Sequence, residues 1–261
     1  MKSRSSTYAL TLSVILFYIF LYLPIVLLTL FSFNNDPYVF HWRGFTAQWY
    51  YMLFHSTEIQ QAFQNSFIVA VTATLLSVLL GTLFVCYASF KLSSALQPFF
   101  YTILTIPEIM VAVGMLICFG YLEIPLGLTT LIAGHTLLGL GYIVPMVYDR
   151  FVDLDARVIE AAYDLGATRG QVIRTIIIPL LRPALFSAGI LVFIISLDDF
   201  VLSFFCSGGT TQTLPMYIFA MIKSGASPVV AALATVILLF SSVLVCIFSL
   251  FNKHKIEMVR R

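Results

Sequence analysis

Three acids stand inside apolar stretches of this chain: Glu108, directly after Pro107, and the adjacent pair Asp198 and Asp199. If those stretches cross a bilayer, each carboxylate costs about 2.5–3.5 kcal/mol near the centre, or roughly 8–10 kcal/mol for the three. Acids kept at that depth line pathways or bind ligands; the plainer alternative is that they hold a helix bundle together by hydrogen bonds. Spacing favours the first role. Ser196, Asp199 and Ser203 fall at i, i+3 and i+7, a polar stripe on one helix face, and Asp198 points about 100° round from Asp199. No Lys or Arg lies in the same stretches to neutralise them, so the missing positive charge is assigned to the cargo, a cation. Trp49, near Trp42 in a more polar segment, has a ring that attracts cations over its face and equally one that anchors a protein at the lipid boundary.

The elements that must carry these residues are membrane helices. Of the 261 residues, 60% are hydrophobic and 10% charged, against roughly 25% charged in soluble domains. The apolar residues come in runs of about 18 or more, enough to cross roughly 30 Å of hydrocarbon. This predicts an all-α polytopic membrane protein, a single transmembrane domain over residues 1–261. Six spans are expected, at about Tyr8–Phe33, Phe67–Phe90, Phe99–Tyr121, Leu126–Tyr148, Ala184–Cys206 and Val229–Phe251. The first is too long for a signal-peptide core and ends in no small-residue cleavage site, so it is expected to remain as an anchor. With the N-terminus inside, every Lys and Arg except Arg43 and Lys223 falls on the cytoplasmic side. Positive-inside bias therefore predicts an N-in, C-in topology. Two longer segments, about Asn34–Ser66 and Ser207–Pro228, then lie outside. The four cysteines, each in or at the end of an apolar run with no metal-ligand spacing, read as small packed residues. No basic block suggests nucleic acid.

The sizeable inside loop, residues 149–183, is the most polar part of the chain. Val158, Ala161, Ala162 and Leu165 recur at helical spacing, so a short amphipathic helix is expected to begin after Asp155. Gly166 is placed to stop it with a left-handed turn. A second short helix, about Arg169–Ile177, then meets Pro179 and Pro183, which re-aim the chain into the fifth span. The result is a helix–turn–helix with Ala161 and Ala162 on its exposed edge, where small side chains allow a partner's close approach.

Glu160-Ala161-Ala162, three residues, Gly166, nine residues, then Ile176-Ile177-Ile178-Pro179 resembles the EAA loop of ABC importer permeases, with Ile178 where the pattern usually has Leu. The resemblance implies the type I importer permease fold and a location in the bacterial inner membrane. It also implies docking of Glu160, Ala161, Ala162 and Gly166 on a dimer of separate ATPase subunits. The same resemblance brings a sister permease, with which the path is formed, and an extracytoplasmic substrate-binding protein. Further runs are similar to the spermidine/putrescine branch of that family: Trp42-Arg43-Gly44-Phe45-Thr46, Pro107-Glu108-Ile109-Met110, Ser196-Leu197-Asp198-Asp199-Phe200-Val201 and Leu214-Pro215. They imply a polyamine cargo passing Glu108, Ser196, Asp198, Asp199 and Trp49. Where relatives of that branch commonly carry Glu and Asn, this chain has Val229 and Ala231.

The chain has no Gly-x-x-x-x-Gly-Lys-Ser/Thr phosphate loop, so ATP and Mg²⁺ are expected on the partner ATPase, with no cofactor here. An ion-coupled secondary transporter for a cationic solute would also bury acids, but would need no docking loop. An ABC permease for another small solute is a further alternative. An intramembrane hydrolase finds no His-Glu-x-x-His or Gly-x-Ser-x-Gly run, and His135, in the fourth span, reads as a packed neutral histidine.

Overall fold

A computed structural model describes residues 4–36, 41–91, 101–102, 104–209, 211–225 and 228–259. Lys2, Arg260 and Arg261 from the inside charges, and Phe99 and Phe100 from the expected third span, lie outside these residues. Apart from one isolated antiparallel bridge between Asn34 and Phe45, the described residues fold into helices, turns and loops. In chain order the α-helices are α1 Arg4–Phe31, α2 Gln48–His55, α3 Thr57–Lys91, α4 Glu108–Tyr121, α5 Leu128–Val152, α6 Ala156–Asp164 and α7 Arg169–Val172. A π-helical stretch, Ile173–Ile177, leads into α8 Ile178–Asp198, which is followed by α9 Val201–Cys206, α10 Leu214–Ser224 and α11 Pro228–Val259.

Four stretches are long and apolar enough to cross a membrane: Leu10–Phe31, Thr57–Cys86, Leu128–Val152 and Arg169–Asp198. The segments expected to lie outside are themselves partly helical. Residues 48–55 form α2, α3 starts at Thr57, ten residues before the expected span, and α10 occupies Leu214–Ser224.

The chain divides into two compact units, Met1–Gln60 with Ile218–Arg261, and Gln61–Tyr217. In the first, α11 packs against α1 and α2. None of the most apolar window of α1 is buried, as suits a helix apolar on every side. The chain after α1 is tied down locally. Asn34 accepts from the Arg43 N–H at 2.9 Å and donates to the His41 carbonyl at 2.7 Å, while buried Asp36 pairs with Arg43 at 2.9 Å. Phe33 stacks on Phe45 and on Tyr50.

The second unit is a bundle in which α5 packs along α8, and α9 lies against α4 and α5. Glycines set how closely α3 and α5 approach. A Cβ on Gly81 would lie 2.6 Å from Ile143 Cγ2, and one on Gly139 would run into Ser77 and Val192. At this contact Ser77 donates to the Thr136 carbonyl at 3.0 Å. Such small-residue crossings are how membrane helices gain packing without a hydrophobic drive between them. Two apolar clusters fill the unit. One joins Val85, Ile143, Val147, Ile177, Leu181 and Val192 near the expected cytoplasmic loop; the other joins Val69, Ala112, Leu131, Leu138 and Leu202.

Candidate functional site

The fifth expected span is not one helix. It breaks at Asp199 and Phe200, although no Gly or Pro stands there. The cause is the Asp199 side chain, whose two oxygens accept from the Leu202 N–H at 3.3 Å and the Ser203 N–H at 2.8 Å. An Asp that caps the following turn offers the backbone an alternative to continuing the helix. At the far end of α9, Thr130 donates to the Cys206 carbonyl at 2.7 Å.

The break opens onto a buried polar cluster. His135 of α5 is 1% exposed, Ser196 5% and Asp199 7%. Ser196 Oγ lies 2.8 Å from His135 Nδ1, while His135 Nε2 is 3.3 Å from Ser203 Oγ and 3.5 Å from Asp199 Oδ2. The expected stripe of Ser196, Asp199 and Ser203 is therefore brought together, but around a histidine and across a broken helix. Ser196, His135 and Asp199 have the residue types of a nucleophile–base–acid relay. All three are buried and none lines the cleft described next, and both carboxylate oxygens are already engaged by the backbone, so the arrangement does not present a nucleophile to a substrate.

Glu108, the first residue of α4, lies close to the Asp199 carboxyl. Neighbouring carboxylates repel one another, which makes the place between them attractive to a cation. Half-buried Glu108 also lines a cleft of about 210 Å³ with Leu104, Ile106, Val111, Leu138, Tyr142 and Ile195. Asp198, the last residue of α8, is exposed in the isolated chain and interacts electrostatically with Asp199. Trp49 belongs to the other unit, where its indole N–H donates to the Asn34 carbonyl at 2.7 Å. That bond fixes its ring as part of the wall after α1.

The polar loop is built largely as its sequence predicts. Asp155 caps α6 by accepting from the Arg157 N–H at 3.0 Å and pairs with its guanidinium at 2.9 Å. Those hydrogen bonds hold the Asp155 carboxyl below the usual range. Gly166 at φ +82° ends the turn, with Gly166 N–H bonded to the Tyr163 carbonyl and Ala167 N–H to that of Ala162, a Schellman closure. Thr168 and Gln171 form a capping box that starts α7. Two details differ. The expected single helix over Arg169–Ile177 is α-helical only to Val172 and then widens to π geometry, and Pro183 lies inside α8 instead of ahead of it. Ala161 is exposed as expected and Glu160 is exposed beside it, but Ala162, with Ile159, packs against the apolar cluster. The outward face carries Val158, 48% exposed, Ala161, and Leu165, 89% exposed, at i, i+3 and i+7.

Long apolar helices, acids near a cleft and a polar helix–turn–helix loop are features that a transport permease would have. The family profile described as "Binding-protein-dependent transport system inner membrane component" matches residues 73–256, and the chain belongs to that family of multi-pass inner-membrane proteins. It is 36% identical over 242 residues to the spermidine/putrescine transport system permease protein PotC of Escherichia coli K12, covering 91% of each. It is 37% identical over 239 residues to PotC of Haemophilus influenzae, covering 90% of this chain and 93% of that protein. With the putrescine transport system permease protein PotI of E. coli K12 it shares 32% identity over 229 residues, 84% of this chain and 82% of PotI. In fold it resembles a chain of a bacterial ABC transporter involved in import of the acidic polysaccharide alginate. The TM-score is 0.69 at 15% identity, over 97% of this chain and 98% of that one. A chain of the MetNI methionine ABC transporter, in an inward-facing conformation, matches with TM-score 0.61 at 17% identity, over 78% and 95%.

Proposed function

We propose that this chain is the permease subunit of an ATP-driven importer of polyamines. It takes six spans in an N-in, C-in arrangement and the type I importer fold. The spans are α1, α3, the segment ending in α4, α5, the broken pair α8–α9, and α11. The two expected short ones are consistent with their surroundings. The 14 residues of α4 cover about 20 Å, and helical residues before Pro107 extend that span.

The observation that carries the cargo assignment is the closeness of Glu108 to Asp199 beside the cleft, with Asp198 next in sequence. A site of juxtaposed carboxyls among apolar walls attracts ammonium groups, and the relatives' names, which include spermidine and putrescine, support the same class. At about 210 Å³ the cleft is smaller than the roughly 300–1,000 Å³ usual for small-molecule sites. The remainder of the site is supplied by a sister permease.

Transfer makes no bond in this chain. A substrate-binding protein delivers the cation outside. ATP and Mg²⁺ bind in a dimer of separate ATPase subunits, which grip the Val158–Ala161–Leu165 face and the Glu160–Gly166 element. Their closure rocks the bundle and exposes the acids alternately to each side. Val229 and Ala231, where relatives commonly carry Glu and Asn, leave the exact polyamine open; the second reading is an ABC permease for another small solute.

Uptake of labelled spermidine and putrescine by the reconstituted complex, with and without binding protein and ATPase, decides. Transport that needs all components and saturates with polyamine is expected. Uptake of neutral or anionic solutes only, or uptake running without the ATPase, overturns the proposal.

A further inference from the structure

We infer that His135 is a positioning residue for transport, which clamps the two sides of the helix break so that the Asp199 carboxyl is held toward Glu108. The inference rests on the reading that these acids meet the cargo.

His135 is the one side chain of α5 joined both to Ser196, before the break, and to Ser203 and Asp199, at and after it. These partners are 61 and 68 positions away from it for the two serines. With Asp199 ionised, the tautomer that fits these distances carries its hydrogen on Nε2, and Nδ1 keeps the lone pair that accepts from Ser196. Both ring nitrogens are thereby used: the donors run from Ser196 through the imidazole to Ser203, with Asp199 Oδ2 3.5 Å from the same nitrogen. A buried network satisfied in this way fixes a single geometry.

The fixed geometry matters because Asp199 has competing duties. Its oxygens cap α9, yet its carboxyl must also stay close to Glu108. Without Nε2–H, Asp199 keeps its backbone partners but loses its polar neighbour across the break, and α8 and α9 lose their shared tie to α5. His135 is not among the residues that line the cleft, so it acts through Asp199.

The test uses the complete importer in liposomes with labelled spermidine. His135→Leu, which keeps bulk and loses both hydrogen bonds, is expected to raise the half-saturating concentration about tenfold or more, the scale of losing a hydrogen bond to a charged group. His135→Gln, which keeps an N–H toward Asp199, is expected to restore it to within about threefold. Should the Leu variant fail to assemble, Ser196→Ala carries the same test, with an expected rise of about threefold to tenfold. The ¹⁵N spectrum of His135 should show a neutral ring protonated at Nε2, and its Nε2 signal should shift in Asp199→Asn. Variants with wild-type half-saturation, or a ring protonated at Nδ1, overturn the inference. A wild-type complex that moves no polyamine overturns the cargo assignment instead, and the ¹⁵N result still decides the role of His135.

Discussion

The Thr130 hydroxyl lies 2.7 Å from the carbonyl oxygen of Cys206, so the six residues of α9 are closed at one end by a side chain of α5 and at the other by Asp199. A helix this short has few backbone bonds of its own, and its orphan groups must be met from outside. Thr130→Val keeps the shape and removes the donor. It is expected to lower stability by about 1–2 kcal/mol, read as a lower melting temperature of the solubilised complex. An unchanged melting temperature would show that α9 does not depend on this tie.

Glu108 and Asp199 lie close together, yet their substitutions should differ. Glu108→Gln is expected to weaken cation uptake about tenfold or more while leaving assembly and melting near wild type. Asp199→Asn should weaken uptake and also lower the melting temperature, because it disturbs the cap of α9 and the bond to His135. Parallel uptake and melting curves separate the two. Equal loss of stability in both would assign these acids to holding the bundle together.

Gly166 has φ +82°, and a Cβ there would meet nothing within 4 Å. Substitution is therefore resisted by the backbone alone, at about 1–2 kcal/mol for a residue with a side chain in the left-handed region. Gly166→Leu is expected to insert into the membrane and bind its partners, but to uncouple ATP hydrolysis from uptake by tilting α6. Normal uptake per ATP would count against the docking role.

Asp155 titrates below its ordinary value of 3.8 because Arg157 donates to it. A lowered folded pKa means that its contribution is complete above 3.8 and is lost only as pH falls through the lower folded value. From pH 5 to 8 the affinity of the ATPase subunit for this chain should thus differ between wild type and Asp155→Ala by a constant factor. A difference that shrinks within that window would place the controlling titration on another group.

The start of α6 after Asp155 and the left-handed Gly166 were legible because capping and turn chemistry are local. Apolar run length likewise revealed most membrane helices. The break at Asp199 was not legible, since Leu197-Asp198-Asp199-Phe200 contains no breaker by type and only the rotamer of Asp199 reveals the cap. His135 was harder still. A lone histidine in an apolar run gives no sign of partners 61 and 68 positions away. The helical spacing of Ser196, Asp199 and Ser203 was the one signal, and it indicated the shared face without its occupant. In α6 the pattern misassigned Ala162, because Ile159 beside it draws that side toward the apolar cluster.

The wide winding at Ile173–Ile177 lies between the knob and α8. A π stretch holds one surplus residue relative to an α-helix. Were it to tighten, the helix beyond would screw forward by about 1.5 Å and 100°. In that case a displacement at one end of the stretch would arrive at Ser196 and Asp198 on α8 as rotation as well as translation.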